Sequence, residues 1–247
     1  MAEEIIAGRN AVLEALASKR PVNKVYIRNG VHGGSIDRLI AAAREAAVPV
    51  EFVQEEKLEK LAEGVRHQGV AALAAPVAFH TLEEILEQAY EKTDKPFLLL
   101  LDELQDPQNV GALIRSADAA GAHGVLLPKR RSCPLNMTVA KISAGAVNYV
   151  PVVQIGNIAQ TLRSLKKQGF WVVGADMDGE CLHFEADLDR PVVLVIGAEG
   201  KGLGRLVREN CDMLVRIPMQ GGVNSLNASA AGAILMYEVV RQRMLKV

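Results

Sequence analysis

Residues 192–204 read VVLVIGAEGKGLG, five consecutive apolar residues that break into a turn with glycines at 197, 200, 202 and 204. An apolar run without alternation predicts a strand buried on both faces, as in a parallel sheet covered by helices. Outward from it the pattern recurs, with FLLLL at 97–101, HGVLLP at 123–128, PVVQI at 151–155, FWVVGA at 170–175 and MLVRIP at 213–218. Helical spacing is found between them, at 108–120, around 139–145, at 157–168 and from about 227 to 243. The expected fold is α/β, with a parallel-sheet domain over 96–247.

Upstream, GRNAVLEALAS and SIDRLIAAAREAAV have helical periodicity, another short helix begins near Glu55, and NKVYIR, PVEFV and GVAALAA read as strands. Residues 1–75 are thus expected to form a small second α/β domain. The acidic stretch between them reads as a linker over 76–95 with one amphipathic helix, Thr81 as its N-cap and Glu84 three residues on.

At 247 residues the chain suits two domains of unequal size, and its 49% hydrophobic content excludes a disordered protein. Twenty-eight basic residues against 29 acidic ones give no global field for nucleic acid, so any surface that binds it must be local. The opening MAEEIIAGRNAVLEAL lacks the order of a signal peptide and no apolar run is long enough for a bilayer, so a cytoplasmic, membrane-free protein is expected. Cys133, Cys181 and Cys211 are too scattered for a disulfide framework or a zinc site.

Three strand ends carry polar residues and glycines, where open α/β sheets bind ligands. After 97–101 come Pro107, Gln108 and Asn109, with Arg115 six residues beyond Asn109. Asn109 there is a ligand contact or a helix cap, and Arg115 a phosphate grip or a surface ion pair. The turn at 197–204 lets a ligand approach bare peptide groups or is merely conformational, and it matches neither a Walker loop nor a dinucleotide fingerprint. After 213–218, Asn224, Ser225 and Asn227 precede a small-residue helix and either cap it or line a site. The run ASAAGA at 228–233 suits close approach to another backbone, within the fold or across a dimer interface.

Taken together, Asn109 with Arg115, then IGAEGKGL, then IPMQGGVNSLNASAA closely resemble the three signature motifs of the SpoU/TrmH (SPOUT) class of RNA 2′-O-methyltransferases, over roughly 97–245. IAGRNAVLEAL and RHQGVAAL resemble that family's substrate-binding domain, and the pair is most similar to the bacterial 23S rRNA guanosine 2′-O-methyltransferase branch. The resemblance implies a deep C-terminal trefoil knot, a homodimer through the catalytic domain, S-adenosyl-L-methionine as cofactor and RNA as partner.

It further implies cofactor contacts at Gly197, Gly200, Ile217, Met219 and Leu226. Arg115 is implied in the transfer step, with Asn109, Glu199, Ser225 and Asn227 completing a polar pocket and no metal required. Arg9, Asn10, Arg66, His67 and Gln68 in the first domain, and Lys129, Arg130 and Arg131 in the second, are candidate RNA contacts, the last three being otherwise a solvated face. Other readings remain: a tRNA target, a non-catalytic RNA-binding protein, or a nucleotide-dependent dehydrogenase that lacks its fingerprint.

Overall fold

A computed structural model of the chain describes residues 3–18 and 20–244; the extreme ends of the two expected domains lie outside them. In chain order the first elements are β1 (Glu4–Ala7), α1 (Arg9–Ala17), β2 (Val22–Arg28), α2 (Gly34–Glu45), β3 (Val50–Val53), α3 (Glu55–Ala62) and β4 (Val70–Ala74). Then come α4 (Leu82–Lys92), β5 (Phe97–Leu101), α5 (Pro107–Ala119), β6 (Gly124–Pro128) and α6 (Met137–Ile142). The chain continues through β7 (Val152–Ile155), α7 (Ile158–Lys167), β8 (Trp171–Ala175), β9 (Cys181–Leu182), β10 (Val192–Ile196), α8 (Arg205–Arg208), β11 (Met213–Arg216) and α9 (Ala228–Met244).

These elements form two compact units, Met1–Ala78 with Pro134–Tyr149, and Phe79–Cys133 with Val150–Val247. The first is a four-stranded mixed sheet of order β1-β4-β2-β3, antiparallel except between β2 and β3. Val12, Val25, Ile27, Leu39 and Val70 fill one core, and Leu58 of α3 packs with Val53 and Ala71 in a smaller one. Residues 134–149, expected within the 96–247 domain, cluster instead with this first unit. A helix-like pattern such as MTVAKI announces α6 but does not say which core it joins.

The second unit is built on a seven-stranded parallel sheet of order β7-β6-β5-β10-β8-β11-β9. β5 and β10 lie side by side at its centre and every residue of both is buried. Full burial of such a Leu, Val or Ile side chain contributes about 1.5–3 kcal/mol. This is why these two strands read as unbroken apolar runs.

α4 forms with the expected capping box between Thr81 and Glu84. Its Ile85 and Leu86 sit in the core of the second unit, and the backbone N–H of His80 donates to the Val152 carbonyl at 2.9 Å. The stretch from Phe79 is therefore part of that unit rather than a linker. From β5 the chain winds outward to β6 and β7, and β8 then starts the other half of the sheet, with β10 between. Such a switch point opens a crevice at the carboxyl ends of the strands. Among the described residues no helix is long and apolar enough to cross a membrane.

Candidate functional site

The turn after β10 closes on itself: the Gly202 N–H donates to the Ala198 carbonyl at 2.8 Å, and Gly200 and Gly202 have φ of +74° and +63°. Gly197 faces main-chain atoms of Gly202 and Leu203 so closely that a side chain there would overlap them. Asp102, at the end of β5 and 2% exposed, accepts the Gly204 N–H at 2.8 Å, while its own N–H donates to the Ile196 carbonyl at 2.8 Å. Burial pushes the Asp102 carboxyl above its ordinary value, and the neighbouring Glu103 adds to the rise. Asp102 thus ties the first strand end to the glycine turn, a role that nothing in its local sequence announced.

Helix α5 is capped by Asp106, whose carboxylate accepts the Gln108 N–H at 3.0 Å, with Pro107 in its first turn. Asn109 is therefore not the cap. It is buried, and its Nδ2 donates to Glu199 Oε1 at 3.2 Å. Asn227 Nδ2 donates to Asn109 Oδ1 at 2.8 Å and to Glu199 Oε1 at 2.5 Å. On its other side Asn227 Oδ1 accepts the N–H groups of Ser229 at 2.9 Å and Ala230 at 3.3 Å, which caps α9. The Ala228 N–H also donates to Glu199 Oε1, at 3.1 Å, so the carboxylate sits at the positive end of the α9 dipole. Gly232 of α9 packs against the Leu113 side chain of α5, leaving no room for a Cβ there; the small-residue run thus admits a neighbouring side chain rather than another backbone at this position.

Beside this cluster lies a cavity of about 280 Å³. Gly197, Gly200, Ile217, Met219 and Leu226 all line it, as do Glu199 and Ser225. Ile196, Leu203 and Val215 add apolar wall, and Lys201 and Arg208 add positive charge. Asp176 and Asp178, just after β8, also line it and were missed by the sequence reading. Asp176 pairs with Arg208 at 3.1 Å. The signal was available, because DMDG follows a buried strand in the same way as the three motifs do.

Arg115 is not drawn into the cluster. It is exposed on α5 and, among the described residues, forms neither a hydrogen bond nor an ion pair. In the first unit Arg9 donates to the Gln68 carbonyl at 3.0 Å and to Ser35 Oγ at 2.9 Å, joining the GRN and RHQG segments. His67 Nδ1 accepts the Gly69 N–H at 3.1 Å and its Nε2 lies 3.5 Å from Glu55, while Asn10 and Arg66 are exposed. In the second unit Arg131 pairs with Glu103 at 2.8 Å. The Lys129 and Arg130 side chains are exposed and unpaired among the described residues.

A cavity walled by a glycine turn at the carboxyl ends of β8, β10 and β11, with an Asn–Glu–Asn cluster beside it, is the arrangement in which open α/β sheets bind ligands. Comparison with known proteins narrows this class. The model of the SpoU rRNA Methylase family matches residues 96–237, and the model described as RNA 2'-O ribose methyltransferase substrate binding matches residues 5–80. The chain belongs to the SpoU rRNA methylase family.

It is 44% identical over 240 residues to YacO of Bacillus subtilis (strain 168), named provisionally as a TrmH family tRNA/rRNA methyltransferase, with 97% of this chain and 96% of that one covered. A crystal structure of an RNA 2'-O ribose methyltransferase superposes with a TM-score of 0.83 at 31% identity, covering 98% of this chain and 89% of that one. The SpoU methyltransferase AviRb from Streptomyces viridochromogenes, solved in complex with AdoMet, gives a TM-score of 0.82 at 26% identity over 98% of this chain and 91% of its own. The family inferred from the three motifs is borne out, as is the α/β fold with a parallel-sheet domain and a smaller N-terminal one.

Proposed function

We propose that the chain transfers a methyl group from S-adenosyl-L-methionine to a ribose 2′-hydroxyl of RNA in the cytoplasm, and that its target is a guanosine of bacterial 23S rRNA. One observation carries the reading: residues of the second and third motifs line a single cavity, and Asn109 of the first is hydrogen-bonded to Glu199 on its wall.

The cavity residues fit the cofactor. Peptide edges at 197–202 and the apolar side chains of Ile217 and Leu226 suit a flat adenine, while the carboxylates of Asp176, Asp178 and Glu199 beside Lys201 and Arg208 suit a molecule carrying both signs of charge. When bound, S-adenosyl-L-methionine supplies a methyl group already activated on a sulfonium. The protein must align the hydroxyl and make it more acidic, its proton passing to solvent water as the oxygen is methylated. Arginine has too high a pKa for a general base, so Arg115 holds the adjoining phosphate and polarises the hydroxyl. Its unpaired guanidinium is free to do so. Asn109, Glu199 and Asn227 hold the rim of the cavity rigid, and Ser225 offers a hydroxyl there.

The reading includes the knot that the resemblance implies and a homodimer through the second unit, supported by the exposed Ile234 and Tyr237 on α9. It assigns RNA capture to residues 1–75, with Arg9, Asn10, Arg66 and His67 as contacts, and to Lys129–Arg131 in the second unit. The test is incubation with labelled cofactor and unmodified 23S rRNA and tRNA transcripts, followed by mass-spectrometric mapping of 2′-O-methyl groups. A single ribose-methylated guanosine in 23S rRNA is expected. Transfer only to tRNA would overturn the rRNA assignment, and transfer to no RNA would overturn the enzyme reading.

A further inference from the structure

The second unit carries another concavity, of about 420 Å³, against the edge strand β7. Buried Val153 and Ile155 floor it, and Phe79, 43% exposed, stands in its wall. Lys129, Glu83, Gln154 and His80 supply the polar groups around them. The side chains of Lys129, Glu83 and Gln154 have no partner among the described residues and are exposed, and Arg130 follows Lys129 equally unpaired.

We infer that this groove holds one unpaired nucleotide of the RNA substrate, its base stacked on Phe79 and its phosphate on Lys129. The inference rests on the RNA methyltransferase reading and adds a subsite to it. An exposed aromatic ring beside an unpaired cation is the combination that takes single-stranded RNA, stacking the base on the ring and neutralising the backbone. The free amide of Gln154 and carboxylate of Glu83 can meet donors and acceptors on the edge of the base. A duplex would not enter so small a recess.

Position supports the same occupant. Lys129 follows the carboxyl end of β6 and Ile155 ends β7, while the cofactor-type cavity opens at the carboxyl ends of β8, β10 and β11. Both therefore lie along one edge of the sheet. β7 is three strands from β10 in the order β7-β6-β5-β10, or about 14 Å at the usual strand spacing. A short run of one RNA strand can reach from one to the other.

The test uses the full chain with unmodified 23S rRNA transcript, comparing wild type with Phe79→Ala, Phe79→Tyr and Lys129→Ala. Loss of one stacked base predicts that Phe79→Ala raises KM for RNA about 5- to 150-fold. The kcat should stay within about twofold, S-adenosylhomocysteine binding should be unchanged, and Phe79→Tyr should keep the wild-type KM. Lys129→Ala should reduce the slope of log affinity against log salt by about 0.7, as for one phosphate contact on a single strand. Wild-type KM and salt slope in Phe79→Ala and Lys129→Ala would overturn the inference. So would a Phe79→Ala variant that unfolds, if Lys129→Ala, which removes no hydrogen bond or ion pair among the described residues, binds RNA normally. If the wild-type chain methylates no RNA, the function reading fails instead, and direct RNA binding by the same variants decides the groove separately.

Discussion

Gly197 is the residue at which the shape of the cavity is most exposed to a single methyl group. A Cβ built on it lies 2.7 Å from the Leu203 amide nitrogen and closer still to the carbonyl carbon and oxygen of Gly202. All three are main-chain atoms, so none can swing aside as a side chain would. To restore even the contact with Leu203 to an ordinary 3.4 Å, the turn must retreat by about 0.7 Å, and further at Gly202. That turn is closed by the Gly202 N–H bond to Ala198 and anchored by the Gly204 N–H bond to Asp102. Forcing it open costs about 1–3 kcal/mol, which should lower the thermal midpoint by several degrees.

The larger consequence falls on the ligand, because the displaced peptide edge is the cavity wall. Gly197→Ala should weaken S-adenosylhomocysteine binding at least tenfold, about 1.4 kcal/mol, by isothermal titration calorimetry. Two other glycines calibrate the result. Gly200 has φ of +74° but no atom within 4 Å of a new Cβ, so Gly200→Ala meets backbone strain alone, at about 1–2 kcal/mol. Gly221 has neither constraint, and Gly221→Ala should be nearly silent. Wild-type affinity in Gly197→Ala, or equal damage from Gly221→Ala, would refute the argument that close backbone approach shapes the site.

Three further outcomes are expected. Arg115→Ala should retain S-adenosylhomocysteine binding, since Arg115 lines no cavity wall, and lose most methyl transfer; normal turnover would remove Arg115 from the mechanism. Asp102 has a folded pKa above its ordinary 3.8, so its contribution to stability is present below that pH and is lost as pH rises through the folded pKa. Relative to wild type, Asp102→Asn should therefore gain stability between acid and neutral urea melts; a constant difference across pH would contradict the burial argument. Burial pushes the Cys211 thiol up to about 12, so in the native protein at pH 8 it should resist a thiol reagent that labels it after unfolding.

The parts of the fold legible in the sequence were those that depend on short-range pattern. Unbroken apolar runs gave β5 and β10 because the centre of a parallel sheet is dry on both faces. Thr81 and Glu84 gave the start of α4 because a capping box is local. What escaped was long-range: that Ile85 and Leu86 pack under the second sheet, that residues 134–149 join the first unit, and that Asp102 reaches a residue 102 positions later. Asp176 and Asp178 escaped for a different reason, since acidic residues in a turn look like ordinary solvated loop until the cavity they border is seen.

Asn227 caps α9, and the cap fixes where the rest of its side chain points. A planar amide fixes its oxygen and nitrogen together. With Oδ1 directed at the N–H groups of Ser229 and Ala230, Nδ2 must point the other way, where it finds Asn109 and Glu199. The helix cap thus sets the direction of the group that ties the third motif to the first and second. Glu199 is held from two sides in turn, by that amide and by the Ala228 N–H at the helix end. A site that must present fixed polar atoms to a ligand gains from building them on helix termini, where satisfying the backbone already demands one orientation. For that reason the three motifs, each bland when taken alone, carry their meaning only in the contacts among them.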